Sequence, residues 1–199
     1  LRESGYVTKG IADTPFLTPN GFGYDRGFSS FHFIDGQWGG NRKDAEYERR
    51  FEEDYFAPQT MRAAERWLER HYKDRFFLYV DTWDPHEPWD PPRWYVEQYY
   101  PQYDGQVVTP CYWDWRDYGL GQEDLKVAHA CYCGEVTMVD RWVGYLLQRV
   151  EDMGLMDDTV IIFTSDHGFY FGEHGQFGKA MFKDYGRLAD HSRESICRS

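Results

Sequence analysis

Two short clusters of polar residues carry the side-chain types that ester chemistry uses. In the first cluster, Asp166 and His167 follow the apolar run 159–163 after Thr164 and Ser165. A carboxylate and an imidazole on neighbouring residues can supply part of the ligand shell of a divalent cation. Lys179 closes the Gly-rich stretch that follows and can bind an anion as a point charge. Taken alone, the Asp-His pair is equally compatible with an Asp that accepts backbone amide hydrogens at a turn. Lys179 taken alone favours the alternative of a solvated lysine.

The second cluster is centred on a histidine between two prolines. His86 lies between Pro85 and Pro88, and proline restricts both its own backbone and that of the residue before it. A histidine held in this way can act as a general acid or contact a developing negative charge. The alternative is a histidine that packs among the tryptophans of the same stretch. Near the first cluster, Glu173 and His174 favour a structural role, in which the Glu accepts backbone amide hydrogens, over metal binding.

The elements around these clusters alternate between strand and helix patterns. Short apolar runs predict strands, and the run 76–80 is typical of a strand covered on both faces of a sheet. In an α/β sheet, functional groups collect beyond the carboxyl ends of the strands, and both clusters follow such a run. We therefore predict an α/β sandwich with the clusters at one edge. The predicted elements are strands 6–12, 76–80 and 159–164, helices 60–72 and 122–153, and a long loop over 14–40.

The composition excludes several classes of protein. The chain has 199 residues, of which 41% are hydrophobic and 19% aromatic, and this is enough for a packed core. The net charge of -12 argues against a nucleic-acid-binding surface, because phosphate binding needs clustered Lys and Arg. No apolar stretch approaches the roughly 20 residues that span a bilayer. The four cysteines have no metal-site or disulfide spacing and are expected to be ordinary thiols.

Four stretches of the chain together resemble the sulfatase family of the alkaline-phosphatase-like superfamily. The stretch FTSDHGFYFGEHGQFGKAMFKD resembles that family's metal and lysine loop, and FFLYVDTWDPHEPWDPP its Pro-His-x-Pro loop. The stretch GEVTMVDRWVGYLL resembles the helix between them, and LRESGY a helix end before an earlier strand. The resemblance runs from Leu1 to about Asp184. It implies an alkaline-phosphatase-like sandwich, with a mostly parallel sheet flanked by helices, that is incomplete at the N-terminus here.

The resemblance also implies roles for the residues of both clusters. Asp166 and His167 match the second pair of metal ligands, usually for one Ca²⁺ ion. Lys179 matches the lysine that holds the sulfate oxygens, and His86 matches the histidine that contacts the ester oxygen and assists the leaving group. The implied activity is sulfuric ester hydrolysis, with a small-molecule or carbohydrate sulfate ester as substrate. Residues 1–185 are then expected to be part of a catalytic domain, and the polar residues 186–199 a non-native or disordered tail.

The sequence departs from the family pattern at the nucleophile. That family uses a formylglycine made from the cysteine of a C-x-P-x-R or C-x-A-x-R motif, and none of the four cysteines begins one. We expect the formylglycine upstream of this chain, so residues 1–199 alone should not hydrolyse sulfate esters. The family's Gly-Lys-Trp-His stretch is replaced by residues 12–16, Ala-Asp-Thr-Pro-Phe. The alternatives are a phosphodiesterase or phosphonate hydrolase of the same superfamily, and a non-catalytic, truncated pseudoenzyme. The cellular compartment stays open.

Overall fold

The helices and strands of the chain form two units, each with its own core. The computed structural model describes residues 1–19, 21–35 and 51–179. Of these described residues, the first unit contains those within 1–85 and 138–161, and the second contains those within 86–137 and 162–179. The elements are β1 (Val7–Ala12), β2 (Ser30–Phe33), α1 (Phe56–His71), β3 (Phe76–Asp81), α2 (Arg93–Val96), α3 (Gln122–Asp152), β4 (Tyr170–Phe171) and β5 (Phe177–Gly178).

The first unit is a parallel three-stranded sheet packed against a helix. β1 is central and pairs with both neighbours in the order β2-β1-β3. In the register with β3, Val7 lies opposite Phe76. Ile11 on β1 is fully buried and belongs to one core cluster with Phe56 and Ala64 of α1. The predicted α/β class with a parallel sheet is therefore confirmed, and β1, β3 and α3 begin and end within one residue of their predicted bounds.

Three details of the first unit differ from the predictions. β2 lies inside the predicted loop 14–40, of which residues 20 and 36–40 fall outside the described residues. Its Ser-Phe-His-Phe sequence alternates over four residues, which is too short to stand out from a Phe-rich loop. α1 begins at Phe56 rather than at residue 60, because a proline at position 58 is tolerated in a first helical turn. On β3, Phe77 and Tyr79 remain 40% and 38% exposed, so within the described residues one face of this strand is partly open.

The predicted buried strand 159–164 is wrong for the structure described. Residues 159–164 have no strand assignment, and no described strand is hydrogen-bonded to them. Val160 is 88% exposed and Phe163 80% exposed. The apolar β-branched sequence encodes a preference for a pleated, packed surface, and this preference produces a strand only where a neighbouring strand supplies the ladder. No segment in the described ranges supplies it.

The second unit is held together by aromatic packing around one tryptophan. Trp89 is fully buried and contacts the rings of Tyr132 on α3, Phe171 on β4 and Phe177 on β5. β4 and β5 form an antiparallel hairpin with two residues in each strand, and Tyr170 lies opposite Gly178 in its register. The sequence analysis did not predict this hairpin, because two residues per strand are below the length at which alternation can be detected.

The remaining predictions concern the cysteines, the termini and membrane spans. Cys111 and Cys131 are buried free thiols and Cys133 is a partly buried one, in agreement with the prediction of ordinary thiols, while Cys197 falls outside the described residues. The predicted tail 186–199 also falls outside them. Among the described residues, no helix has the length and apolar character needed to cross a membrane.

Candidate active site

The site is built on two loops of the second unit that bring His86 and Lys179 into contact. Lys179 Nζ lies within hydrogen-bond contact of His86 Nε2. Lys179 follows β5 directly, so the β4–β5 hairpin fixes where its backbone starts. Gly178 has a φ of 100°, and a Cβ there would lie 2.9 Å from Pro110. Glycine is therefore required at the residue that delivers the lysine to the site.

The hydrogen bonds of His86 define its tautomer. Its Nδ1 lies 2.8 Å from the backbone carbonyl oxygen of Glu87. A carbonyl oxygen only accepts hydrogen bonds, so Nδ1 carries the hydrogen and Nε2 presents its lone pair to the Lys179 ammonium. Burial lowers the pKa of His86 to about 4, and the positive charge of Lys179 adds to the lowering. His86 is therefore a neutral imidazole at physiological pH.

Glu87 is a buried carboxylate between the two bases, and the sequence analysis missed it. One carboxylate oxygen, Oε1, lies 3.4 Å from Lys179 Nζ, and the other, Oε2, lies 3.3 Å from His86 Nδ1. Its side chain is 5% exposed. Burial raises the pKa of Glu87, while Lys179 acts in the opposite direction. The signal in the sequence that could have identified Glu87 was its position between His86 and Pro88.

Aromatic rings enclose the apolar side of this cluster. Lys179 Nζ lies 5.5 Å from the centre of the Phe169 ring and 6.0 Å from that of Tyr112, within the range of cation–π attraction. The His86 ring meets Phe169 edge-on at 6.4 Å. Trp89 packs edge-on against the same Phe169 ring at 5.2 Å. The buried tryptophan thus supports the ring that both site residues contact.

The pair of residues that was expected to bind a metal lies on an exposed turn. The Asp166 side chain is 86% exposed, and its Oδ1 accepts the backbone amide hydrogen of His167 at 2.7 Å. His167 Nδ1 lies 3.0 Å from the carbonyl oxygen of Gly168, so Nδ1 carries the hydrogen and Nε2 presents its lone pair. That nitrogen lies 3.6 Å from Asp166 Oδ2. Two lone-pair donors at this separation fit adjacent positions in one ligand shell.

The fit of a metal to this pair is partial. No third His, Cys, Asp or Glu joins the two in a possible metal-binding group within the ranges 1–19, 21–35 and 51–179. Ca²⁺ takes six to eight ligands, mostly oxygen, so this pair accounts for part of a shell. Asp166 and His167 also act electrostatically on His86, the first raising and the second lowering its pKa.

Glu173 has the structural role that the sequence analysis favoured. Its Oε2 accepts the backbone amide hydrogen of Phe171 at 2.6 Å, and this hydrogen bond lowers the pKa of the carboxyl group. The residue therefore ties the hairpin loop to β4. His174 contacts the ring of Tyr170 edge-on at 6.3 Å.

In the first unit, an acid occupies the place where the Gly-Lys-Trp-His stretch was expected. Asp13 is fully buried, and its Oδ2 accepts a hydrogen bond from Thr60 Oγ1 at 2.6 Å. Its Oδ1 accepts the backbone amide hydrogen of Trp83 at 2.5 Å. Burial, with a further contribution from the neighbouring Asp84 carboxylate, raises the pKa of Asp13 to about 7. This residue holds the end of β1 to the segment after β3.

Comparison with known proteins places these residues in a family context. A family model described as Sulfatase matches residues 1–193. The arylsulfatase of Clostridium perfringens is 31% identical in an alignment of 121 residues that covers 53% of this chain and 24% of that protein. The iduronate 2-sulfatase of Mus musculus is 30% identical in an alignment of 129 residues that covers 52% of this chain and 23% of that protein. The matched region thus spans about a quarter of the length of these curated relatives.

The fold also has a counterpart among solved structures. The phosphonate monoester hydrolase of Agrobacterium radiobacter superposes with a TM-score of 0.60 at 20% identity, over 92% of this chain and 49% of that one. At this identity the likeness concerns the fold alone, and it agrees with the alkaline-phosphatase-like α/β architecture.

Proposed function

Because this chain belongs to the sulfatase family, we propose that it contributes the anion-binding and leaving-group side of a sulfuric ester hydrolase site. The observation that supports this most directly is the contact between Lys179 Nζ and His86 Nε2. It joins a cation suited to binding sulfate oxygens with an imidazole suited to contacting the ester oxygen. The substrate class is a sulfate ester of a small molecule or a carbohydrate.

In the proposed reaction, Lys179 binds the sulfate group and His86 lies beside the departing oxygen. The Lys179 ammonium group stays charged while it contacts the anion. The Phe169 ring shields one side of this ammonium group from water. The negative charge that develops on the leaving oxygen is stabilised by the ammonium hydrogens of Lys179 that His86 does not accept, since His86 Nε2 presents a lone pair and has no hydrogen to donate. His86 orients the ammonium group beside that oxygen by accepting its third hydrogen. The pair has to be held in a fixed position relative to the ester oxygen, because its stabilising effect depends on that geometry.

A divalent cation completes the proposed site. Sulfatases are typically metal-dependent, and we propose Asp166 and His167 as two ligands of one Ca²⁺ ion. When bound, the cation would act as a Lewis acid on the sulfate oxygens. The exposed Asp166 carboxylate and the lone pair on His167 Nε2 support this assignment. The attacking formylglycine is proposed to lie outside residues 1–199, since no cysteine here begins its motif.

The test compares this chain with the reading frame that contains it. Both are assayed with an aryl sulfate and an aryl phosphate, in calcium and in chelator. We expect the extended protein to hydrolyse the sulfate in calcium, and residues 1–199 alone to be inactive because covalent catalysis needs its nucleophile. In the extended protein, Lys179→Met should lower sulfatase kcat/KM at least about 100-fold. Lys126→Met is the matched control, because Lys126 is an exposed lysine paired with Glu123.

Each other outcome identifies a different function. A preference of the extended protein for the phosphate ester would assign it to the phosphodiesterase or phosphonate hydrolase alternative. Absence of turnover with both esters, together with binding of sulfate by a folded protein, would indicate a pseudoenzyme. Turnover of the sulfate by residues 1–199 alone would contradict the placement of the nucleophile.

A further inference from the structure

Glu87 places a negative charge beside the lysine that is proposed to bind the substrate anion. Its Oε1 is 3.4 Å from Lys179 Nζ, and its side chain is 5% exposed. The backbone of the same residue accepts a hydrogen bond from His86 Nδ1 at 2.8 Å. The carboxylate is therefore fixed next to the cation, and its burial reduces the screening of its charge by water.

The three side chains of this cluster nearly cancel in charge. Lys179 contributes one positive charge, Glu87 one negative charge in its ionised form, and His86 none in its neutral form. An anion bound at Lys179 is attracted by the ammonium group and repelled by the carboxylate. Both effects are proportional to the charge on the ligand, so the carboxylate removes most of the advantage that a doubly charged anion would have over a singly charged one.

We infer that Glu87 is a specificity-determining residue that shifts the selectivity of this site from doubly charged towards singly charged tetrahedral esters. The inference rests on the proposed function, since it assumes that Lys179 binds the anionic group. A sulfate monoester carries one negative charge, whereas a phosphate monoester carries between 1.5 and 2 near pH 7. The two ligands have similar shapes, so charge is the property by which a site can separate them. Glu87 supplies that separation without contacting the reacting atoms.

The test measures binding of two small probes of different charge. Methyl sulfate and methyl phosphate are titrated by calorimetry into the protein in its complete reading frame, in calcium at pH 8, where methyl phosphate is a dianion. In Glu87→Gln, methyl sulfate should bind about threefold more tightly and methyl phosphate about tenfold more tightly, because the repulsion that is removed doubles with the ligand charge.

Three variants make the result specific to the charge of Glu87. Glu87→Asp keeps the charge and should keep the ratio of the two affinities that the unsubstituted protein shows. Glu87→Asn makes the same change of charge as Glu87→Gln with a shorter side chain, and it has to reproduce the shift in selectivity. Glu97→Gln removes a carboxylate of the same unit that is paired with Arg93, and it should change neither affinity. Circular dichroism establishes which variants are folded.

The outcomes separate this inference from the proposed function. If Glu87→Gln changes both affinities by the same factor, or if Glu87→Asp changes their ratio as Glu87→Gln does, Glu87 does not set the selectivity and the inference is overturned. The proposed function then still stands if the unsubstituted protein binds and hydrolyses sulfate esters. If the unsubstituted protein binds neither probe and hydrolyses neither ester, the proposed function fails, and the inference fails with it.

Discussion

Lys179 lies against the Nε2 atom of His86, although 93 positions separate the two residues in the sequence. Gly178 delivers the lysine from the end of β5, and Phe169 lies against both side chains. The contact requires the lone pair of a neutral imidazole, which the hydrogen bond from Nδ1 to the Glu87 carbonyl oxygen leaves on Nε2. One residue from each of the two clusters that the sequence analysis singled out, Lys179 and His86, is in this way joined in one hydrogen-bonded arrangement, whereas Asp166 and His167 lie on an exposed turn.

The first prediction concerns the protonation of His86. Lys179→Met should raise the pKa of His86 from about 4, because it removes a neighbouring positive charge. The pKa should stay below 6.5, because burial is the larger cause and remains. The measurement is an NMR titration of the His86 ring protons between pH 3 and pH 8. The neutral form is favoured in the fold, so this histidine stabilises the protein above pH 6.5, and the contribution is lost as the pH falls towards 4.

The matched control for this titration is Lys126→Met. Lys126 is exposed and forms an ion pair with Glu123 on α3. Its charge is not among those that shift the pKa of His86. Its replacement should leave the His86 titration unchanged. An unchanged His86 pKa in Lys179→Met would mean that the lysine does not occupy this position in solution.

The second prediction concerns the aromatic core behind the site. Trp89→Ala should lower the free energy of unfolding by about 3–5 kcal/mol, because it removes a fully buried ring from contact with several others. Urea denaturation followed by circular dichroism measures the change. Trp94→Ala is the control, since that side chain is 54% exposed, and it should change stability by no more than about 0.5 kcal/mol. Equal losses in the two variants would contradict the assignment of Trp89 to the core.

The fold could be predicted where an element carries its own signal. The runs that became β1 and β3 are apolar and of strand length, and α3 keeps a buried stripe over many turns. β2 and the β4–β5 hairpin are too short for periodicity to identify them. The run 159–164 has the sequence of a strand but lacks a described partner strand. Whether such a run forms a strand depends on the segment beside it, which its own sequence does not encode.

The site was predictable in its residue types but not in its charge balance. His86 was identified because the prolines around it restrict its backbone, and Lys179 because it follows a Gly-rich loop. Both patterns are typical of positions that hold a side chain in a defined place. Glu87 was missed, because a glutamate in a loop is ordinarily solvated and its burial follows from tertiary packing. Asp13 was noted as a departure from a motif, whereas its burial became evident from its contacts with Thr60 and the Trp83 backbone.

The third prediction concerns the pH dependence of stability in the first unit. The pKa of Asp13 is raised from 3.8 to about 7, so the fold favours the protonated form. Its contribution to stability is complete below pH 3.8 and is lost as the pH rises through 7, with a total on the order of 4 kcal/mol. Asp13→Asn resembles the protonated form and should therefore be more stable than the unsubstituted protein at pH 8. Urea denaturation at pH 5 and pH 8 measures the difference.

The control for this prediction is Asp157→Asn, at an exposed position beyond α3. It should leave the difference in stability between pH 5 and pH 8 as it is in the unsubstituted protein. Asparagine at position 13 can still accept the Trp83 amide hydrogen, so its fold is expected to persist. A variant that is less stable than the unsubstituted protein at both pH values would show that the Asp13 carboxylate is stabilising in its charged form.

The last prediction concerns the exposed apolar run 160–163. Val160, Ile162 and Phe163 are each at least 80% exposed, and a β-prone apolar segment without a paired edge promotes association between chains. In residues 1–199, Ile162→Lys should change the free energy of unfolding by no more than about 0.5 kcal/mol and increase the soluble fraction. Light scattering against protein concentration measures the association. Leu125→Lys, at a position that is 4% exposed, is the contrasting variant and should unfold the second unit. If Ile162→Lys destabilises the chain as strongly as Leu125→Lys does, the isoleucine is packed in solution and association has another origin.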